Sequence, residues 1–190
     1  ITDPRFGRVS VFDRDGRLLF SMSRRGDENG QIFRLDRRNG SVRLLTDGTS
    51  RNGLGPFEKA GTRCVVSSNR RNGRDTDLFL LDAAAPAPEL EPLLEVTGEF
   101  WNAADFSFDD ARLLVVRNVS VEESYPFVLD LATRAKTPVP PPPGAAAKAS
   151  YGSLRFAPDG RSVFLVTDAA SEWKRLARVD LATGAYAWLS

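Results

Sequence analysis

Glu122 and Glu123 stand side by side in the chain, and two adjacent carboxylates can clamp a single ammonium group. A second charged run, Arg70-Arg71-Asn72-Gly73-Arg74, has the donors to hold a phosphate. Asp75 and Asp77 follow it at once, which fits a solvated loop better. Cys64 is the only cysteine, so no internal disulfide can form. It opens the apolar run Cys64-Val65-Val66 and reads as a small buried hydrophobe rather than a nucleophile. There is no histidine, which removes the usual general base and the commonest zinc ligand. No Gly-x-Ser-x-Gly nucleophile elbow occurs either. The sequence therefore calls for no cofactor, no metal and no catalytic residue of its own. The sequon Asn118-Val119-Ser120 matters only in a host that glycosylates.

The frame that must position these groups is that of an ordinary soluble globular chain, with 42% apolar and 27% charged residues among 190. Its 26 basic and 25 acidic side chains are interspersed, so neither a nucleic-acid footprint nor a membrane-surface patch is indicated. No apolar stretch is long enough for a membrane span. No secretory signal is visible, and a start at Ile1 rather than Met leaves room for a lost leader. Only four of the 26 basic residues are lysine, a bias that suggests a GC-rich bacterial genome. Whether the compartment is cytoplasm or periplasm stays open.

The organising feature is a repeat. Phe156-Ala157-Pro158-Asp159-Gly160 recurs as Phe12-Asp13-Arg14-Asp15-Gly16, Phe57-Glu58-Lys59-Ala60-Gly61 and Phe106-Ser107-Phe108-Asp109-Asp110. Each copy runs into an apolar stretch, such as Leu113-Leu114-Val115-Val116 or Val163-Phe164-Leu165-Val166. Further on, each has an apolar strand closed by an aspartate: Asp36, Asp82, Asp130 and Asp180. A short turn and a last strand follow, as in Leu181-Ala182-Thr183-Gly184 ahead of Tyr186-Ala187-Trp188-Leu189.

Asp-Gly and Asn-Gly supply the positive φ of tight hairpins. Strands apolar at nearly every position are buried on both faces. Small sheets stacked face to face satisfy that pattern, and a period of about 40–50 residues is typical of propeller blades. The expected fold is an all-β, β-propeller array of four-stranded antiparallel blades, treated as one domain over 1–190. The blades fall at 5–48, 49–97, 98–140 and 150–190. Four blades suggest part of a larger ring of six to eight, cut at both ends. The Pro-rich stretch within 138–149 is expected to be an elongated inter-blade loop, because the repeat resumes in register beyond it. Ala145-Ala146-Ala147-Lys148-Ala149 could make one helical turn at best.

These blades resemble the WD40-like repeats of TolB-type propellers and of the N-terminal domain of prolyl-oligopeptidase-family serine peptidases. Phe156-Ala157-Pro158-Asp159-Gly160 is similar to the F-S-P-D-G signature of that group, and Leu45-Thr46-Asp47-Gly48 to its L-T-D-G blade ending. Ser67-Ser68-Asn69-Arg70-Arg71-Asn72-Gly73-Arg74-Asp75-Thr76-Asp77-Leu78 resembles the S-N-R-x-G-x-x-D-L run. Val119-Ser120-Val121-Glu122-Glu123-Ser124-Tyr125 and Thr167-Asp168-Ala169-Ala170-Ser171-Glu172-Trp173-Lys174-Arg175-Leu176 resemble segments of bacterial acylaminoacyl-peptidase-like enzymes. The third blade departs from the signature at Phe108-Asp109-Asp110 and again at Arg134, where glycine is usual; both departures put the local turn geometry in question.

In such peptidases the propeller accompanies an α/β-hydrolase domain in the same polypeptide. The resemblance implies that domain and peptide substrates as partners, with the propeller covering the active site and restricting entry.

Antiparallel connectivity puts the loops between second and third strands on the same rim as the inter-blade loops, opposite the Pro-Asp-Gly-type turns. That rim collects Arg24, Arg25, Asp27, Glu28, Arg70, Arg71, Arg74, Asp75, Glu122, Glu123, Glu172, Trp173, Lys174 and Arg175. It is the candidate surface for docking a partner domain or guiding substrate, against the plain alternative that loop tips are charged in any soluble protein. Glu122-Glu123 invites comparison with the paired glutamates with which dipeptidyl peptidases hold a free amino terminus, although the surrounding residues do not match. Trp101, Asn102 and Tyr151 open first strands and either line a central channel or pack between blades. Trp173, beside Glu172, reads as packing at a loop base. The four recurrent aspartates suggest a shared structural task such as bonding turn amides.

Three classes of function stay open: a non-catalytic gating domain of a serine peptidase, a stand-alone TolB-type scaffold for protein–protein contacts, and an enzyme with carboxylates lining the channel. Missing histidine and the lack of a signature acid pair weigh against the third.

Overall fold

The computed structural model describes residues 6–12, 16–23 and 28–190. Asp13, Arg14 and Asp15 of the first motif lie outside them, as do Arg24, Arg25 and Asp27. The chain forms two compact units, 1–98 and 99–190.

The first unit contains β1 (Phe6–Phe12), β2 (Leu18–Met22), β3 (Gln31–Leu35), β4 (Val42–Leu44), β5 (Asn52–Phe57), β6 (Arg63–Ser68), β7 (Asp77–Asp82) and β8 (Leu90–Leu94). The second contains β9 (Phe100–Phe106), β10 (Arg112–Asn118), β11 (Ser124–Asp130), β12 (Lys136–Pro138), β13 (Tyr151–Phe156), β14 (Ser162–Thr167), β15 (Arg175–Asp180) and β16 (Tyr186–Trp188). They form four sheets of four strands, each an antiparallel meander in chain order. The described residues contain no helix. The fold is all-β, built from four sheets of the propeller-blade type.

Burial follows the apolar runs. In β10, Leu113 through Val116 are all buried, and in β6 so are Cys64 through Val66. Side chains alternate across a strand, so a run buried without interruption needs cover on both faces. In the second unit, Leu114 and Val116 of one blade meet Leu154, Phe156, Val163, Leu165, Ala177 and Val179 of the next. Polar links reinforce that contact. The Phe156 amide donates to Asp105 Oδ2 at 2.9 Å, and Arg112 donates to the Gly160 carbonyl at 2.6 Å. The Arg112 guanidinium also lies 5.4 Å from the Phe156 ring. In the first unit Leu19, Ile32, Cys64, Val66 and Leu81 share a core, and Arg34 donates to the Ala83 carbonyl. Cys64 is fully buried, and burial pushes its thiol far above the usual range, so it is an inert core residue.

The turns where the third blade departs from the signature keep the geometry of the others. Gly61 and Gly160 have φ of 74° and 67°, and Asp110 takes 55° in their place. Gly184 has φ 71° and Arg134 has 63°. The closing hydrogen bonds match too: Asp110 N to Ser107 O at 3.0 Å, and Arg134 N to Asp130 O at 2.9 Å. The expected doubt about turn geometry is therefore not met. The blade accepts left-handed backbone at two non-glycine residues, a conformation that costs roughly 1–2 kcal/mol per residue.

Candidate functional site

In each unit the loops between second and third strands are bonded to the inter-blade segments, which places both on one rim. In the first unit the Arg51 amide donates to Asn69 Oδ1 at 2.8 Å, and the Gly98 amide to Asp75 Oδ1 at 3.0 Å. In the second, the Ser124 amide donates to the Ala149 carbonyl and the Ala146 amide to the Ala169 carbonyl, both at 2.9 Å. The Ser150 amide adds a bond to Asp168 Oδ1 at 2.8 Å. Three segments, 119–124, 139–150 and 168–174, are thus laced together.

Arg71 is the most committed of the predicted site residues. It grips the fully buried Asp77 with two bonds, Nε to Oδ2 at 2.6 Å and Nη2 to Oδ1 at 3.0 Å. Its Nη2 also reaches the Val96 carbonyl at 2.5 Å, while the Val96 amide donates to Asp77 Oδ1 at 2.9 Å. The Asp77 hydrogen bond holds the Arg71 guanidinium pKa above its ordinary value. Asp75 is lowered by the Gly98 amide and then by the Asn72 side chain. The run that looks like a phosphate cradle is a clip tying this loop to the end of its own blade. Arg70 is exposed, 6.0 Å from the Phe79 ring, and borders a polar cleft with Asp47 and Glu89. Arg24 and Arg25 lie outside the described residues.

In the second unit Glu123 is already engaged. The Tyr125 hydroxyl donates to its Oε1 at 2.7 Å, and Lys148 Nζ stands 3.8 Å from its Oε2. The hydrogen bond to Glu123 raises the Tyr125 pKa. Glu122 is exposed, and its side chain makes no ion pair among the described residues. The two carboxylates are thus in different states, one held and one free.

Trp101 is 3% exposed, with its ring 5.3 Å from that of Phe127 and Lys136 Nζ 4.6 Å from its centroid. Its indole N–H donates to Glu99 Oε2 at 2.9 Å, the main cause of a lowered Glu99 pKa. Trp101 is buried, and these contacts with Phe127, Lys136 and Glu99 lie within its own blade. Tyr151 is half-buried against the core of this unit, and Asn102 is exposed. Trp173 corrects its reading: it does not pack at a loop base but is 79% exposed, flanked by exposed Glu172 and Lys174. Val121, at the tip of the neighbouring hairpin, is 91% exposed. Sequence reasoning passed over that valine because, Trp173 apart, it counted only charges on the rim.

The four recurrent aspartates have the task expected of them. Asp130 Oδ1 accepts from the amides of Ala132 and Thr133 at 3.1 and 2.7 Å, and Asp180 Oδ1 from those of Ala182 and Thr183 at 3.1 and 2.8 Å. Asp36 and Asp82 accept from Arg38 and Ala84 in the same way. Asp159 caps the opposite turn, accepting from the amides of Arg161 and Ser162, and these bonds lower its pKa to about 2. None is a paired acid and base. Among the described residues no group of three His, Cys, Asp or Glu could hold a metal ion.

Solved structures share this fold. A prolyl endopeptidase aligns over 98% of the chain with a TM-score of 0.70 and 17% identity. A puromycin-hydrolyzing peptidase of Mycobacterium tuberculosis aligns over 95% with a TM-score of 0.65 and 14% identity. TolB from Acinetobacter baumannii aligns over 92% with a TM-score of 0.63 and 18% identity. The chain spans 27%, 28% and 41% of those three chains in turn. No family model and no curated protein matches the sequence. At such identities the likeness establishes the fold: a β-propeller segment of the kind found in TolB and in prolyl-endopeptidase-type proteins.

Proposed function

We propose that these blades are the non-catalytic propeller portion of a prolyl-oligopeptidase-type serine peptidase, docking against an α/β-hydrolase domain of the same polypeptide and limiting substrate entry. The observation that carries the reading is the alignment of 98% of the chain with a prolyl endopeptidase at a TM-score of 0.70. Two features support it. The chain has no histidine and no nucleophile elbow, so a Ser-His-Asp triad has to be supplied from outside it. The rim of the second unit carries exposed Trp173, Val121 and Glu122, and tryptophan is enriched among residues that anchor interfaces. On this reading the clip around Arg71 keeps its loop in shape, and the exposed tips of the second unit make the contact.

A second reading, a TolB-type scaffold for protein–protein contacts, has its own support in the alignment with TolB from Acinetobacter baumannii over 92% of the chain. Both use a rim; they differ in whether chemistry lies beneath it. The test is hydrolysis of chromogenic aminoacyl and acyl-peptide substrates by the polypeptide that carries these blades. Turnover abolished by an active-serine inhibitor, with none from residues 1–190 alone, is the expected result. No turnover by a parent lacking a hydrolase domain transfers the assignment to the scaffold.

A further inference from the structure

Between β11, the end of β12 and the segment 139–150 lies a cavity of about 310 Å³. Its walls include Tyr125, Phe127, Val139, Tyr151, Ala145 and Ala147, and no charged side chain lines it. The covering segment explains why the space is not filled. It is pinned where the Val139 amide meets the Pro126 carbonyl, where Ala146 meets Ala169 and where Ser124 meets Ala149, each at 2.9 Å. Held at three points, the segment cannot settle onto the strands. The side chains it brings at 145–147 are methyl groups, too short to occupy the gap.

The hydroxyls of Tyr125 and Ser124 on the cavity wall already have partners. That of Tyr125 donates to Glu123 at 2.7 Å. The Ser124 hydroxyl accepts from the Tyr151 amide at 2.8 Å. An occupant therefore gains chiefly by apolar contact. The volume lies near the lower end of ligand pockets, about 300–1,000 Å³, and suits one ring or one branched aliphatic group. The cavity is only partly enclosed, whereas ligand sites bury about 70–90% of a free small molecule. A group carried on a larger body fits that shape better. The hairpin leading into Ser124 carries exposed Val119 and Val121.

We infer that this cavity is a socket for one aromatic or branched aliphatic side chain of a polypeptide. The inference stands apart from the peptidase reading, because it concerns binding by residues 1–190 and is read without any turnover. The test titrates that chain with N-acetyl-phenylalanine amide, N-acetyl-leucine amide, N-acetyl-glutamate amide and toluene, following the amide NMR signals of Ala145, Ala147 and Tyr151. The two apolar amides give saturable shifts in roughly the millimolar range expected for so few non-hydrogen atoms, and the glutamate amide binds at least about tenfold more weakly. Ala147→Leu, and independently Ala145→Leu, fills the socket and removes those shifts while the rest of the spectrum keeps its dispersion. Absence of saturable shifts from either apolar amide overturns the inference, as does binding that survives both filling substitutions. Toluene binding with exclusion of both amides overturns the assignment to a side chain.

Discussion

The loop at 69–76 and the loop at 168–174 occupy the same place in their blades, each joining a second strand to a third, and they are used in opposite ways. The first is dense with charge, yet Arg71, Asp75 and Asp77 bond to one another and to the backbone at Val96 and Gly98. The second offers Glu172, Trp173 and Lys174 outward, with Trp173 79% exposed. A charged loop is a poor guide to function until its partners are known. The carboxylate of Asp77 is satisfied inside its own blade and has little left for a ligand. Trp173 leaves its ring in water, open to a partner.

Breaking the closed loop should have the largest effect. Asp77→Ala removes the buried partner of Arg71 and leaves the buried Val96 amide without its acceptor, an expected cost of about 1–3 kcal/mol, seen as a lower denaturant midpoint and faster hydrogen exchange at the Val96 amide. A midpoint unchanged by that substitution would mean that the clip contributes nothing.

Acid acts on the opposite turns. Asp159 has a folded-state pKa lowered to about 2 by the Arg161 and Ser162 amides, below the unfolded value of about 3.9. Its contribution is therefore fully present above about pH 4 and is lost as pH falls through about 2. Asp159→Asn should flatten the pH dependence of stability in that window, measured by thermal unfolding at stepped pH.

The third blade sharpens the comparison from another side. Arg134 sits at φ 63° where its counterpart is Gly184, so Arg134→Gly should raise stability by about 1 kcal/mol, measurable by urea titration. The smallest change is expected at the open loop. Trp173→Ala should alter stability by no more than about 0.5 kcal/mol, a useful contrast with Asp77→Ala in the same assay. A large loss there would show that the ring packs after all.

Much of the fold was legible because its signals are local. Phe156 to Gly160 and its copies mark the hairpins, the unbroken apolar runs mark doubly covered strands, and Asp130 and Asp180 bond amides only two or three residues on. The candidate site was legible only as a region. The partner that fixes Arg71 includes Val96, 25 residues away, and no local pattern announces it. Trp173 was misread because an aromatic beside a strand usually packs, and only the folded chain reveals that nothing covers it. Ala145 to Ala147 read as a fragment of helix, while their role as the thin wall of a cavity depends on hydrogen bonds to Pro126 and Ala169 made by the flanking backbone.

The measurement that tests the account most directly is site-specific photo-crosslinking within the polypeptide that carries these blades. One crosslinking residue replaces Trp173 on the rim proposed for docking, and another replaces Thr183 in a turn between third and fourth strands on the opposite side of its blade. Docking through this rim predicts capture of a hydrolase domain from position 173 and not from position 183. Equal capture from both positions, or capture from 183 alone, would contradict it.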